Sequence, residues 1–585
     1  MKPVTRADRQ TSRRQIMWTP TNPGGYVDKY RIPKRSVLVA AVASLALLAA
    51  ACGGSSDSSS EGSSGDGTSN ESGGTSGSDT PTVGGEVSYG LEAETSGGWC
   101  LAEAQLAISG IQVARAIYDT LTVPDSKGDY SGSLAESLTP NADFTQWTVK
   151  LRPGITFHDG TPLDAQVVKN NLDAYRGTYP ARSPLLFRFV FSNIADTAVV
   201  DPSTVLITTA TPWPSLPAAL FGSGRIGIMG QKQLDSAACD TELIGTGPFK
   251  LQDWKVNDRL ETVKNPSYWQ KDANGTQLPY LDKLTFRPYP DAGARVNALK
   301  SGEINMLHTS GAEQIQELRD DRDNGDVNLV ESSDFAEVSY GMLNTSKPPF
   351  DNKNARLAAA YALDRDAYNK VINLDMFEMA SGPFGKGEIG YLEDAGYPEY
   401  DLAKAKEYAA KYQQETGLPL EFTLVSTSDP GVVKAAQFIQ EQAQKAGAKV
   451  NLRQVDQASL INTALGGDWQ ALSWRNHPGG NPDGQYNWWK TGSPVNFGKF
   501  SDPKIDQLLD QGRAEPDKEK ATATYEDINR QFGSEVYNIW LNWTQWDIAS
   551  DPTVSGVYGP NNPDGSEPFP GLSTGHPVLG LNVQN

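Results

Sequence analysis

Histidine is scarce in this chain: four residues in 585, His158, His308, His477 and His576. None stands in the H-E-x-x-H spacing that places two imidazoles on one helix face, so no metal-ligand pattern is present. The chain has no G-x-S-x-G turn and no G-x-x-x-x-G-K-S/T loop, which removes the serine elbow and the phosphate cradle. A pair of acids facing each other in a cleft leaves no local pattern, so only the motif-bearing chemistries are excluded. No catalytic residue, metal or cofactor is expected. The apolar run at residues 37–51 has 15 residues, short of the roughly 20 that span a bilayer. No repeat of 20 to 50 residues is evident, which argues against a solenoid or propeller. Positive charge is in deficit, with 51 Lys and Arg against 71 Asp and Glu. That balance disfavours nucleic acid and anionic lipid surfaces as partners. Cysteine occurs three times, at Cys52, Cys100 and Cys239.

What is present begins with a basic, apolar, small, cysteine, polar succession over residues 33–60. Lys34 and Arg35 precede the apolar run, and Ala49, Ala50 and Ala51 lead into Cys52. This is the order of a secretion signal ending in a lipid-attachment cysteine. It resembles a bacterial lipobox, with Ala49 where a large aliphatic residue is usual. Residues 1–51 read as the signal, with Met17 an alternative start, and Cys52 as the lipidated first residue of the mature chain. The signal carries nine Lys/Arg and two Asp, so its removal leaves a still more acidic protein. Residues 53–82 hold Gly, Ser, Asp, Glu, Asn and Thr with a single proline, Pro81. Such a segment buries too little to offset the entropy of ordering. As a coil of about 30 residues it reaches about 30 Å. The expected location is the extracytoplasmic face of the cell membrane, with the bilayer touched through Cys52 alone.

Residues 83–585 exceed what one core usually holds, so two or more lobes are expected. Strands are read at 86–91, 147–151, 204–208, 304–307, 422–426 and 449–454. Helices are read at 101–118, 164–175, 291–301, 354–362, 365–371, 402–416, 431–445 and 459–466. The alternation over 402–474 argues an α/β lobe, and the whole chain reads as mixed α/β. Outside the cytoplasm Cys100 and Cys239 read as one disulfide or as two buried thiols. Trp540, Trp543 and Trp546 share one face if helical and do not if extended; core or hinge packing is their expected role.

The stretch 147–174, WTVKLRPGITFHDGTPLDAQVVKNNLDA, then becomes specific. With it stand Tyr118, Asp119 and Leu121; Leu134, Ala135 and Ser137; the Gly245–Thr246–Gly247–Pro248–Phe249 turn; Asn265, Pro266, Tyr268 and Trp269; and Asn344, Pro349, Phe350, Arg356, Asp364 and Arg365. In this order they resemble the family 5 solute-binding proteins of ABC importers, which bind peptides, dipeptides, nickel and some oligosaccharides. The resemblance implies a two-lobed periplasmic-binding-protein-like α/β fold of type II. Lobe I is expected at 83–335, with an extra subdomain at about 121–239 and a return over 529–585. Lobe II is expected at 336–528.

The resemblance also implies a monomer that captures a small solute between its lobes and hands it unchanged to permease subunits. A peptide is the first reading; an oligosaccharide, or a sensor presenting its closed form to a membrane kinase, is the alternative. The family's W-x-x-D-Y-P-D-P loop corresponds to residues 473–489, SWRNHPGGNPDGQYNWW. Trp474 matches, Pro482 and Asp483 recover the later P-D, and Arg475, Asn476 and His477 replace the acid that pairs with a peptide amine. Without that acid an ammonium terminus loses a charge-assisted hydrogen bond. The ligand-contact candidates are Trp474, Arg475, Asn476, His477, Asp483, Tyr486 and Trp488 on this loop, Tyr340 at the lobe crossover, and Trp99 after the first strand.

Overall fold

Two long strands, Asn328–Leu343 and Asn538–Ser550, organise the chain. They belong to a computed structural model that describes residues 81–94, 98–476, 480–574 and 576–584. The expected signal, Cys52, nearly all of the tether and His477 lie outside the described residues. The two strands run antiparallel at the centre of a ten-stranded sheet. On one side of the pair lie Ala471–Asn476, Glu421–Thr427 and Lys449–Val455. On the other lie Met306–Thr309, Glu86–Leu91, Lys283–Pro288, Arg259–Lys264 and Phe249–Lys255. A separate four-stranded sheet, Ala135–Pro140, Gln146–Leu151, Thr204–Thr209 and Ile194–Asp201, builds the extra region after the first helix.

The ladder between the two long strands breaks twice, first and more widely between Ser332 and Glu337 and then between Val338 and Tyr340. Pairing runs from Asn328 opposite Ser550 to Ser332 opposite Trp546, and resumes with Glu337 opposite Thr544. Residues 333–336 therefore face Gln545 alone. Such a bulge bends its strand and raises the local twist. Phe335, inside it, has φ 49°, a left-handed conformation costly for a bulky side chain. Its ring packs on Phe569 with centroids 4.4 Å apart, which offsets part of that cost.

Apolar packing changes sides at the first break. One core gathers Tyr89, Trp213, Phe249, Phe286, Trp546, Ile548 and Val578. The second gathers Ala336, Val338, Phe350, Phe422, Phe532, Trp540 and Trp543. The chain passes from first core to second around Phe335, and back between Trp543 and Trp546. The architecture is two α/β lobes joined by two crossing strands.

Local chemistry sets the helices. Asp164, Asp291, Asp364, Asp401, Asp429, Asp456, Asp502 and Asp517 each cap a helix by accepting a hydrogen bond from its first turn. Each cap is worth about 1 kcal/mol. The helix expected at 402–416 is Leu402–Thr416. That expected at 101–118 is only Ile108–Ile117. Its first residues form a turn instead, with Glu103 N and Ala104 N donating to the Cys100 carbonyl, beside the disulfide that joins Cys100 to Cys239. Three of the sequence motifs converge on half-buried Asp119, which accepts from Thr246 Oγ1 at 2.8 Å, the Tyr268 hydroxyl at 3.0 Å and Trp269 Nε1 at 3.1 Å. Gly245 belongs to the same knot because a Cβ there would meet the Ile117 carbonyl oxygen at 2.0 Å.

Candidate functional site

The site is the seam between the two lobes. Arg475 lies near the end of Ala471–Asn476, opposite Ser339 of the crossing strand. Its guanidinium reaches into the first lobe. Nη2 is 3.4 Å from Glu92 Oε1, and Nη1 donates to Ser310 Oγ at 3.3 Å. Nη1 is also 3.7 Å from Glu337 Oε2, and the guanidinium lies 5.6 Å from the Trp546 ring centroid. Glu92 and Ser310 each follow a first-lobe strand, so the sheet itself delivers the two partners of this second-lobe cation.

Burial and charge oppose each other here. Burial lifts the Glu337 carboxyl to about 7, while Arg475 and the hydrogen bond from Trp546 Nε1, at 3.1 Å, pull it back. Burial also works against the charge of Arg475, but Glu337, Glu92 and Asp429 outweigh it and raise its pKa. Beneath Trp546, stacked at 5.3 Å, His308 is held well below its usual range by burial and so is neutral. Its Nε2 accepts from the Glu92 backbone N–H at 3.1 Å, which puts the ring proton on Nδ1.

A second acid, Glu388, is buried in the second lobe. Its Oε2 accepts from Gly385 N at 2.7 Å, and its Oε1 has no hydrogen-bond partner among the described residues. Burial raises its pKa well above the usual value near 4.5.

The remaining candidates divide. Asp483 is buried in the seam, away from Arg475, and meets Trp213 and Ser215 of the first lobe and Arg513 of the second. Trp474 and Trp488 both pack edge-on against Phe497, at 5.8 and 5.4 Å. Asn476 donates to Gln485 at 2.7 Å across the loop. The Tyr486 hydroxyl donates to Asp510 at 2.6 Å, and Arg513 lies 3.5 Å from its ring centroid. Tyr340 is buried against Trp540. Trp99 is 1% exposed, packs edge-on to Trp254 and lines a small cavity with Glu94, Ser109 and Phe286. Sequence reasoning missed Glu92, Ser310, Glu337, Trp213, Ser215, Glu388 and Arg513. One signal was available: Arg513 stands on the buried stripe of its helix with Ile505, Leu509 and Gly512.

Comparison with known proteins gives the family and the fold. Residues 129–498 match the model of the bacterial extracellular solute-binding proteins, family 5, middle region. The chain belongs to this family. The glutathione-binding protein GsiB of Escherichia coli (strain K12) is 32% identical over 349 residues, covering 59% of this chain. The chain spans 65% of that relative's length. The binding protein AgaA from A. tumefacien R10, solved with agropinic acid, is 27% identical with a TM-score of 0.75, covering 86% of this chain and 99% of its own. DppA from Helicobacter pylori, solved with the peptide STSA, is 22% identical with a TM-score of 0.74, covering 86% and 99%. The family 5 chain thus has the two-lobed α/β fold of periplasmic binding proteins. Its family is one of extracellular solute-binding proteins.

Proposed function

We propose that this family 5 protein captures a small, charged, peptide-like solute between its lobes and delivers it to the permease of an ABC importer. The observation that carries the reading is Arg475 of the second lobe, met by Glu92 and Ser310 of the first. A cation and acids at one seam suit a solute bearing both a carboxylate and an ammonium group. Such a solute trades one internal partner for another and leaves neither charge unpaired. Names among the relatives support a small solute: glutathione for GsiB, agropinic acid for AgaA. Contact with both lobes exists only when they are shut, so the solute stabilises the closed form.

The proposed lobes are 83–335 with 546–585, and 336–543. The second boundary moves from 528 because Phe532, Trp540 and Trp543 pack in the second core and Trp546 in the first. A lipid on Cys52 holds the protein at the extracytoplasmic membrane face.

Mass spectrometry of solute released from the purified protein tests the ligand reading. A zwitterionic or acidic small molecule is expected; a released solute with no ionisable group overturns the role given to Arg475. Titration with that solute should show Arg475→Ala binding about tenfold or more weakly while the protein stays folded. In the native host, Cys52→Ser should shift the protein from the detergent phase to the aqueous phase on phase partitioning. An unchanged partition removes the anchor.

A further inference from the structure

Asp483 follows the strand that carries Arg475, yet it is closed off by groups from both lobes. Its Oδ2 accepts from Trp213 Nε1 at 2.6 Å and from Ser215 Oγ at 2.8 Å. Its Oδ1 accepts from Arg513 Nε at 2.7 Å. The Arg513 guanidinium lies 5.0 Å from the Trp213 ring centroid, so the first-lobe indole meets the second-lobe pair with its edge and its face together. Trp213, Asp483 and Arg513 are 1%, 5% and 6% exposed. Trp213 stands between Pro212 and Pro214, which fix its backbone before the lobes meet.

The two carboxylate oxygens divide between the lobes. Oδ1 is satisfied inside the second lobe in either state. Oδ2 has its two donors only when the lobes are shut; opening returns it, the indole N–H and the hydroxyl to water. We propose that Trp213, Ser215 and Asp483 form a clasp that favours closure before any solute is bound. Asp483 is then a positioning residue: it sets the closed fraction, and through that fraction the apparent affinity for whatever the seam takes. Hydrogen bonds to a charged, water-excluded acceptor are stronger than neutral ones, so losing both donors should lower the closed population about tenfold or more.

Two ion pairs between the lobes report closure chemically. Lys518 Nζ is 2.8 Å from Asp129 Oδ1, and Lys434 Nζ is 2.8 Å from Glu313 Oε1. Each is within reach of a zero-length carbodiimide coupling. The experiment is performed on solute-free full-length protein, so it reads the clasp whether or not the proposed solute class is right. Wild type, Ser215→Ala, Trp213→Phe and the double variant are coupled, digested and quantified by mass spectrometry, with circular dichroism confirming the fold. Expected is a graded fall in both cross-links, about tenfold in the double variant. Asp483→Asn should reduce them too, and less than additively with Trp213→Phe. Cross-link yields equal to wild type in Ser215→Ala and the double variant overturn the clasp, as does strict additivity with Asp483→Asn. If Trp213→Phe fails to fold, Ser215→Ala alone decides, with a severalfold fall for the clasp and no fall against it.

Discussion

Glu337 is a buried acid on a crossing strand, 1% exposed. Its folded pKa of about 7 lies above the usual value near 4.5. A carboxyl raised in this way lends stability that is complete below the unfolded pKa and is lost as pH rises through the folded one. Asp547, buried on the other crossing strand and also lifted to about 7 by burial, acts in the same direction. The buried histidines oppose them on the acid side. Burial lowers His158 to about 4 and His576 to about 3, so their contribution is present above the unfolded pKa of about 6.5 and lost as pH falls through those values. Glu337→Gln removes one of these titrations. Its stability relative to wild type should therefore improve by roughly 1 kcal/mol from pH 6 to pH 8, whatever its offset at pH 6. Denaturant titrations at the two pH values check this, and a difference that stays flat or shrinks removes the raised pKa. No sequence pattern pointed to Glu337: in the run Asp334, Phe335, Ala336, Glu337, Val338, only the bulge decides which side chains turn inward.

At the scale of elements, legibility followed period and punctuation. Helices with an aspartate cap and a 3.6-residue stripe, such as Leu402–Thr416 and Ala165–Arg176, are written into the sequence twice over. So is the alternating strand Gln146–Leu151, whose burial alternates residue by residue. The two crossing strands are different. Asn538–Ser550 is buried on both faces apart from Gln545 and so shows no alternation, leaving helix and strand undecided for its three tryptophans. Asn328–Leu343 alternates poorly because residues are inserted partway along it. The seam depends on these strands, so its residues were the least legible; Arg475 and Asp483 were found only through the loop's resemblance to the family, which says nothing of Asp483's partners. The disulfide belongs to this scale as well. It ties the turn before the first helix to a point 139 residues later, across the whole four-stranded region. In the loop-closure model a cross-link of that span is worth roughly 5 kcal/mol at most. Cys100→Ser with Cys239→Ser should lower unfolding stability by a few kcal/mol up to that figure in a denaturant titration. A loss under about 1 kcal/mol would mean that the surrounding core holds the region without it.

For the whole molecule, the decisive feature is two cores sharing one sheet. A solute bound within one lobe would stabilise that core alone; a solute gripped at the seam must be released before either lobe is free of the other. Linkage gives the size of the effect. At a free concentration one hundred times its dissociation constant, a solute that binds only the native state adds about 2.7 kcal/mol. If Arg475 and Glu92 hold it from opposite lobes, that increment belongs to the closed pair. Scanning calorimetry of the free protein should resolve a broad or double endotherm, since only the crossing strands and the seam couple the cores. With the released solute at saturation, both components should move upward and sharpen toward one transition. Arg475→Ala should abolish most of the sharpening while leaving the free protein's endotherm near its original position. A shift confined to one component would place the solute inside a single lobe and move the binding site away from the seam.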